Sequence, residues 1–404
     1  MAQRRALVIG GSMSGLLAAL MLRRCGWETD IYERVAGELA GRGAGIVVQP
    51  SLIAHLHALG LPIGDLGVPV VRRQMLDREG RVALTGHCPQ IMAAWERVYR
   101  LLRDAFPFAH YHRGRELAAF EQTADGVIAR FTDGTTAHGE VLVAADGLRS
   151  SVRQPCLPAV VPLYAGYIAW RAILTEDSLP LPIHRDLGDA MTFCLPPGEQ
   201  FLGYPVTGPD NDLRPGRRRY NVIWYRPADA ATELPRLLTD TNGVLHAISI
   251  PPPLIRREAI AAMRAAAEEL LAPQCRALVG LIEEPLLQPI YDLASPRLSF
   301  GRVALIGDAA FVARPHVAAG VSKAADDAAA LARALGDAGD DIEAALHRYE
   351  NERLPENNRI IERARHLGAY LQASQSGEER KRSAQHGIPQ AVLEETATVD
   401  FLSA

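Results

Sequence analysis

The N-terminal part of the chain has an apolar pattern that predicts a strand, a helix and a second strand. Ala6 to Ile9 form a short apolar run that ends in a glycine-rich turn. Apolar side chains then recur at helical spacing at Leu16, Leu17, Leu20 and Met21, and a second strand-like run, 29–33, ends in an acid. This order of elements predicts a βαβ unit at the start of a parallel sheet.

The turn of this unit, Gly10 to Gly15, predicts a dinucleotide site. Such a turn directs backbone N–H groups and a helix N-terminus towards a pyrophosphate. Glu33 follows at the spacing where an acid binds the ribose hydroxyls, although Ser12 replaces the middle glycine of the usual motif. A tight turn without a ligand is the competing interpretation, and the flanking strand, helix and acid favour the dinucleotide.

The rest of the pattern divides the chain into helical, buried-strand and alternating regions. Helical periodicity is found at 51–59, 98–106, 323–335, 342–353 and 360–372. Buried strands are predicted at 141–144 and 301–308. Shorter strand-like runs, several with aromatic residues, alternate with Pro and Gly at 167–174, 190–195, 201–206 and 220–225. These runs predict an antiparallel sheet with one face towards a pocket.

The predicted fold is therefore α/β, with a Rossmann-like dinucleotide domain and an inserted antiparallel-sheet substrate domain. We assign 1–70, 96–158 and 286–340 to the first, and 71–95 and 159–285 to the second. Residues 341–404 are predicted to form a helical C-terminal region.

Composition is that of an ordinary globular protein. The chain has 404 residues, of which 48% are hydrophobic and 22% charged, with a net charge of −4. Lys and Arg are scattered, which argues against nucleic acid or an anionic membrane as a partner. Five widely spaced cysteines and the absence of a signal peptide or membrane-length apolar run predict a cytoplasmic location. No metal-ligand pattern is found, and a homodimer is left open.

Three motifs in this order resemble those of the single-component flavoprotein aromatic hydroxylases, the group that includes p-hydroxybenzoate hydroxylase. They are the turn ending at Gly15 with Glu33, the segment 145–153 (ADGLRSSVR), and the segment 307–328, which begins Gly-Asp-Ala-Ala. The segments 41–47, 166–171 and 307–316 are most similar to 2,6-dihydroxypyridine 3-hydroxylase and related hydroxylases of electron-poor rings. The chain departs from the wider family at Ser12, Phe311 and Ser322.

The resemblance implies FAD as the cofactor. The resemblance implies that the following residues bind FAD: Gly10, Ser12, Gly15, Glu33, Arg34, Arg42, Arg100, Asp146, Arg153, Asp308, Gly320 and Val321. Asp308 is expected to accept hydrogen bonds from the ribityl hydroxyls, its competing role being a helix cap. Arg153 has the alternative of a surface charge. The register at Arg100 is open because Arg97 and Arg103 lie close by.

The resemblance also implies the reaction: NADH or NADPH and O2 are used to hydroxylate an aromatic or N-heteroaromatic, hydroxypyridine-like ring through a C4a-hydroperoxyflavin. His316, beside Pro315, is the expected contact to the substrate oxygen and could accept its proton. A packed histidine is the alternative. Further substrate contacts are predicted at Gln49, Tyr204, Tyr225 and His246, although such residues in a sheet are more often simply packed.

Other functions on the same scaffold are less well supported by the sequence. A halogenase would carry a Trp-x-Trp-x-Ile-Pro segment and a disulfide reductase a Cys-x-x-Cys pair, and the chain has neither. An FAD-dependent oxidase stays an alternative. A non-catalytic nucleotide-binding protein is a remote one, because the flavin motifs occur together.

Overall fold

The structure, a computed structural model, describes residues 4–39 and 44–402. Arg42, one of the expected cofactor contacts, lies outside the described residues. Among the described residues, no helix is both long and apolar enough to cross a lipid bilayer.

The strands and helices are numbered here in chain order. The strands β1 to β18 are Arg5–Ile9, Glu28–Glu33, Gly45–Val48, Val68–Leu76, Val82–Ala94, Tyr111–Arg113, Leu117–Gln122, Val127–Phe131, Thr136–Gly139, Val141–Ala144, Leu163–Thr175, Ala190–Cys194, Gln200–Val206, Arg219–Pro227, Leu286–Ala294, Ser299–Phe300, Val303–Leu305 and Phe311–Val312. The helices α1 to α12 are Met13–Arg24, Pro50–Ala58, Trp95–Ala105, Arg153–Cys156, Leu181–Leu187, Glu233–Leu238, Arg257–Leu270, Pro273–Gly280, Gly320–Gly336, Ile342–Leu367, Gly377–His386 and Pro389–Glu395.

The predicted βαβ unit is present and forms the centre of a six-stranded sheet. The strand order is β16-β17-β10-β1-β2-β6, and β1 is parallel to both β2 and β10. The side chains of β1 after Arg5 and all those of β10 are apolar and buried, because other elements, among them helix α1 and strand β9, pack against these strands. The parallel strands end on the side where the glycine turn and the Gly307 turn lie, which is where ligands bind in folds of this kind.

The inserted sheet is larger than predicted. Its nine strands run in the order β18-β15-β11-β14-β13-β12-β4-β5-β3 and are antiparallel except for the β12–β4 pair. Because β3 and β15 pair within it, sheet pairing groups 45–48 and 286–294 with the substrate sheet rather than with the dinucleotide domain to which we had assigned them. A third sheet, β7-β8-β9, is small. The α/β class with an inserted antiparallel sheet is confirmed.

Alternation along the nine-stranded sheet separates its two faces. Ile168 and Trp170 of β11 pack with helices α7 and α8 in one core, whereas Tyr167 and Ala169 belong to a second apolar cluster on the opposite face. The second face borders the cavity described below. The sheet thus builds a core on one side and a cavity wall on the other.

The helical regions differ from the prediction in three places. The sequence pattern does not indicate the four helices α5 to α8, which lie between β11 and β15. The two predicted segments 342–353 and 360–372 are joined, since α10 runs continuously from Ile342 to Leu367 with Pro355 inside it. The predicted helical C-terminal region also contains α11 and α12, which lie beyond the two helical segments that the pattern indicates.

A buried ionic cluster connects α9, α10 and the turn after β17. Asp327 is fully buried, and its Oδ1 accepts hydrogen bonds from Arg353 Nε and Asn357 Nδ2, both at 2.9 Å. Its Oδ2 accepts the N–H of Gly307 at 3.0 Å. Burial alone would lower the pKa of Arg353, but the neighbouring Asp327 charge raises it, so the guanidinium stays charged. The cluster fixes the turn that presents Asp308.

Arg353→Met is therefore expected to lower the free energy of unfolding by about 3–5 kcal/mol, because it leaves the Asp327 carboxylate buried without its cation. Urea unfolding followed by circular dichroism measures the loss. The control is Arg333→Met, which breaks the exposed Arg333–Glu352 pair of 2.5 Å and should cost about 0–1 kcal/mol. Equal losses in the two variants would contradict a structural role for the buried cluster.

Candidate active site

The glycine turn brings backbone segments too close together for side chains. Gly10 has φ +104°, and a Cβ there would meet the Ala145 carbonyl oxygen at 2.4 Å. A Cβ on Gly15 would lie 1.9 Å from the Gly10 carbonyl oxygen. Ser12 is the N-cap of α1, and its side chain makes no capping hydrogen bond. The turn thus leaves the N-terminus of α1 open to a ligand.

A cavity of about 280 Å³ adjoins this turn and collects five of the predicted cofactor residues. Its lining includes Gly10, Ser12, Glu33, Arg34 and Asp146. The Glu33 carboxylate accepts backbone N–H groups from Gly11 and Val35 at 2.8 and 2.9 Å, which explains how the acid stabilises the turn. Asp146 accepts hydrogen bonds from Ser151 through Oδ2, while its buried Oδ1 has no partner among the described residues.

A second cavity, of about 540 Å³, is bounded by the βα turns and by the open face of the nine-stranded sheet. Ser12 and Trp95 line both cavities, which therefore adjoin each other. Asp308, Pro315, His316, Gly320 and Val321 line the larger one, as do Tyr204 and Tyr225 of the sheet. The paired cavities, the open helix N-termini and the unpartnered Asp146 oxygen fit an extended dinucleotide. Several of the predicted cofactor residues and two of the four further substrate contacts, Tyr204 and Tyr225, meet here.

Asp308 lies at the rim of the larger cavity, opposite a buried lysine. Its side chain is 54% exposed, and Lys323 Nζ, fully buried, is 4.0 Å from Oδ1. Although this side chain is partly exposed, desolvation by the surrounding cavity wall raises the pKa of Asp308, and the Lys323 ammonium opposes that rise. Lys323 Nζ makes no hydrogen bond with the described residues. The carboxylate is thus free to accept hydrogen bonds from a ligand in the cavity.

His316 is buried in the turn before α9, with one ring nitrogen already used. Its Nε2 is 2.8 Å from the hydroxyl of Tyr167, and a Cβ at Gly368 would lie 3.0 Å from this nitrogen. Burial and then the nearby Arg314 charge lower the pKa of His316 to about 3. The imidazole is therefore neutral at physiological pH. This argues against the expected proton acceptance and favours a hydrogen-bonding role.

The four predicted substrate contacts fall into two groups. Tyr204 and Tyr225 line the larger cavity, and burial raises the pKa of Tyr204 to about 12 and that of Tyr225 further, so both hydroxyls stay protonated. Gln49 is buried behind the wall, where it donates to the Ala397 carbonyl at 3.1 Å. His246 pairs with Asp240 at 2.9 Å in a loop outside the cavity lining. The structure therefore brings only the tyrosines to the cavity.

Two predicted cofactor arginines are not in the lining of either cavity. Arg100 is exposed on α3 and forms an ion pair of 2.6 Å with Glu96. Arg153 is buried and donates to the carbonyls of Ala309 and Leu148 at 2.8 and 2.6 Å, so it is not the surface charge of the alternative interpretation. Arg153 thereby connects the second motif (145–153) with the third (307–328). It affects the site by holding the backbones of these two segments in place.

Sequence reasoning missed several residues of the cavity wall. Arg171 and Gln288 line it from β11 and β15, and Thr396 and Ala397 close it from the C-terminal segment. Strand alternation would have found Arg171, since it lies four residues after Tyr167 on β11 and therefore shares its face of the sheet. No sequence signal indicates Ala397, which reaches the site through a backbone hydrogen bond to the His316 carbonyl at 2.6 Å.

The chain is similar to FAD-dependent proteins along most of its length. A family described as "FAD binding domain" matches residues 289–364, and one described as "FAD binding domain-like" matches 164–292. The 2,6-dihydroxypyridine 3-monooxygenase of Paenarthrobacter nicotinovorans is 33% identical over 95% of this chain and 96% of its own.

Comparison with solved structures shows the same similarity to FAD-dependent proteins. The 2,6-dihydroxypyridine-3-hydroxylase from Arthrobacter nicotinovorans has a TM-score of 0.86 at 31% identity, covering 93% of this chain and 94% of its own. Klebsiella pneumoniae HpxO, solved with FAD and uric acid, has a TM-score of 0.77 at 25% identity, covering 98% and 94%. FAD as the cofactor is thereby confirmed.

Asp308→Ala is expected to lose FAD on purification, because a carboxylate that accepts hydrogen bonds from the cofactor is replaced by a methyl group. The ratio of flavin to protein absorbance measures occupancy. Asp337→Ala, an exposed aspartate just after the same helix α9, is the control and should keep its FAD. A folded Asp308→Ala variant with full FAD content would show that Asp308 is assigned wrongly.

Proposed function

The chain belongs to the family of single-component FAD-dependent aromatic monooxygenases, and from this we propose that it hydroxylates a hydroxypyridine-like ring with electrons from NADH or NADPH. The relatives named above act on dihydroxypyridine, and one is solved with uric acid, so an electron-poor nitrogen ring is the substrate class favoured. Family membership sets aside a halogenase, a disulfide reductase and a non-catalytic binder.

The observation that carries the proposal is the wall of the larger cavity. Tyr204 and Tyr225 on the sheet face His316 in the turn, with the Tyr225 and His316 rings 4.8 Å apart between centroids. Aromatic rings pack well against such side chains, and the hydroxyls and imidazole provide polar contacts at the edge of a ring. Asp308 and the start of α9 border the same space, so a ring here lies next to the flavin site.

When bound, FAD supplies the redox and oxygen chemistry of the reaction. The residues of this chain position the ring and limit the access of water. Ala397 covers the cavity beside His316 and is held by Gln90 Nε2, which donates to its carbonyl at 2.7 Å. The C-terminal segment thereby becomes part of the enclosure.

His316 orients the substrate in this proposal. If the Tyr167 hydroxyl donates to Nε2, the proton of the neutral ring is on Nδ1, which has no partner among the described residues. Nδ1–H then donates to the substrate oxygen, and a donor in a dry site stabilises an anionic oxygen strongly. Tyr167 sets the direction of that hydrogen bond.

The monooxygenase reaction predicts that one NAD(P)H and one O2 are consumed per hydroxylated ring, and that NAD(P)H oxidation is faster with substrate present. Mass spectrometry of the product formed under ¹⁸O2 should show one labelled oxygen. The control is the same reaction in H2¹⁸O under unlabelled O2. Product oxygen that derives from water would contradict the proposal.

His316→Asn is expected to keep FAD but to slow hydroxylation roughly tenfold or more, since a hydrogen bond to a charged oxygen is worth about 1.5–3 kcal/mol. Release of hydrogen peroxide should rise as coupling falls. Because the pKa of His316 is lowered to about 3, the pH profile of kcat should show no change near pH 6.5 that depends on this residue. A limb near pH 6.5 that disappears in His316→Asn would instead establish the histidine as a base.

A further inference from the structure

One charged side chain in the wall of the larger cavity has no opposite charge beside it. Arg314 pairs with Asp292 at 2.9 Å, and Asp308 has Lys323 at 4.0 Å. Arg171 lines the same cavity and forms no ion pair with any carboxylate of the described residues.

The position of Arg171 is fixed by the sheet. It lies on β11 opposite Ile223 of β14 and Leu286 of β15, two residues that also line the cavity. Its Nη1 donates to Gln288 Oε1 at 2.8 Å, while its buried Nε has no partner. Because the Gln288 oxygen is occupied by Arg171, the amide NH2 of Gln288 is left as a donor. The two side chains therefore offer donors only.

The electrostatics of the wall match this arrangement. Burial raises the pKa of both Tyr204 and Tyr225, and the charge of Arg171 opposes the rise at both hydroxyls. Its field thus reaches the part of the cavity that these tyrosines border. A half-buried guanidinium with an unsatisfied N–H is costly alone and favourable beside an anion. This combination favours a negatively charged oxygen as the occupant.

We propose that Arg171 and Gln288 form a subsite that binds an anionic oxygen of the substrate, so that the ring enters the cavity already deprotonated. The inference rests on the proposed function and deepens it, because it limits substrates to rings that bind as anions. The proton is left in solvent before binding. No base in the wall is then required, which agrees with a neutral His316 and protonated tyrosines.

The test compares FAD-loaded parent enzyme with Arg171→Gln, Arg171→Lys and Arg72→Gln. Arg72 is an exposed arginine of the same sheet, on β4, and is the matched control. Dissociation constants for 2,6-dihydroxypyridine and for 2,6-dimethoxypyridine, which cannot ionise, are measured from changes in the flavin spectrum. Nitrate is titrated separately as an anion probe that does not depend on the identity of the ring.

We expect Arg171→Gln to weaken binding of 2,6-dihydroxypyridine by roughly tenfold to a hundredfold with unchanged FAD content. Arg171→Lys should recover part of the loss, since it keeps the charge but not the fork of donors. The dimethoxy compound should respond little to either change, and nitrate should perturb the parent spectrum but not that of Arg171→Gln. Arg72→Gln should behave as the parent.

Unchanged binding in Arg171→Gln, or equal losses for the ionisable and methylated rings, would overturn the subsite. If no ring binds the parent but nitrate gives a response that requires Arg171, the hydroxypyridine proposal fails and the anion subsite stands. If neither ring nor nitrate gives a response that depends on Arg171, the subsite is overturned.

Discussion

The geometry of the site depends on the buried carboxylate of Asp327. It accepts the backbone N–H of Gly307 and at the same time pairs with Arg353 of α10. The turn that presents Asp308, helix α9 and helix α10 are therefore held in one arrangement. An ion buried in this way is costly unless every partner is present. The cluster thus makes the cofactor side of the cavity rigid before any ligand binds.

The opposite wall is built by strand alternation. Every second residue of β11 and β14 packs into a core with α7 and α8, and the residues between them lie on the face that borders the cavity. A shift of the strand by one residue would turn its whole apolar face to the other side of the sheet, so the face of each residue is fixed. Tyr225 and Arg171 consequently lie on one rigid surface, facing the turn that holds His316. Positioning of the substrate follows from packing of the sheet.

Much of the fold could be predicted from the sequence because the signals are local. The βαβ unit, the Asp308 turn and the four strands between 167 and 225 each combine a clear hydrophobic pattern with flanking glycines or prolines. The pairing of β3 with β5 could not be found in this way, because it joins distant residues. The sequence predicts two helices in place of α10, because a proline normally interrupts a helix. In the structure Pro355 is accommodated within one continuous helix.

The site could be predicted only where a motif fixes the backbone. Asp308, Asp146 and His316 lie on such turns and reach the cavities. Arg100 does not, because it is exposed on α3 and pairs with Glu96. The buried arginine of α3 is Arg103, whose guanidinium lies 4.2 Å over the Tyr111 ring.

The central claim is that one cavity holds the flavin ring beside Asp308 and the substrate ring against the sheet. The most direct test is a crystal structure of the FAD-loaded enzyme with 2,6-dihydroxypyridine. We predict the flavin ring between the start of α9 and the open face of the sheet, with the pyridine within hydrogen-bonding distance of Arg171 or His316. A flavin ring placed away from Asp308, or a pyridine bound outside this cavity, would contradict the account.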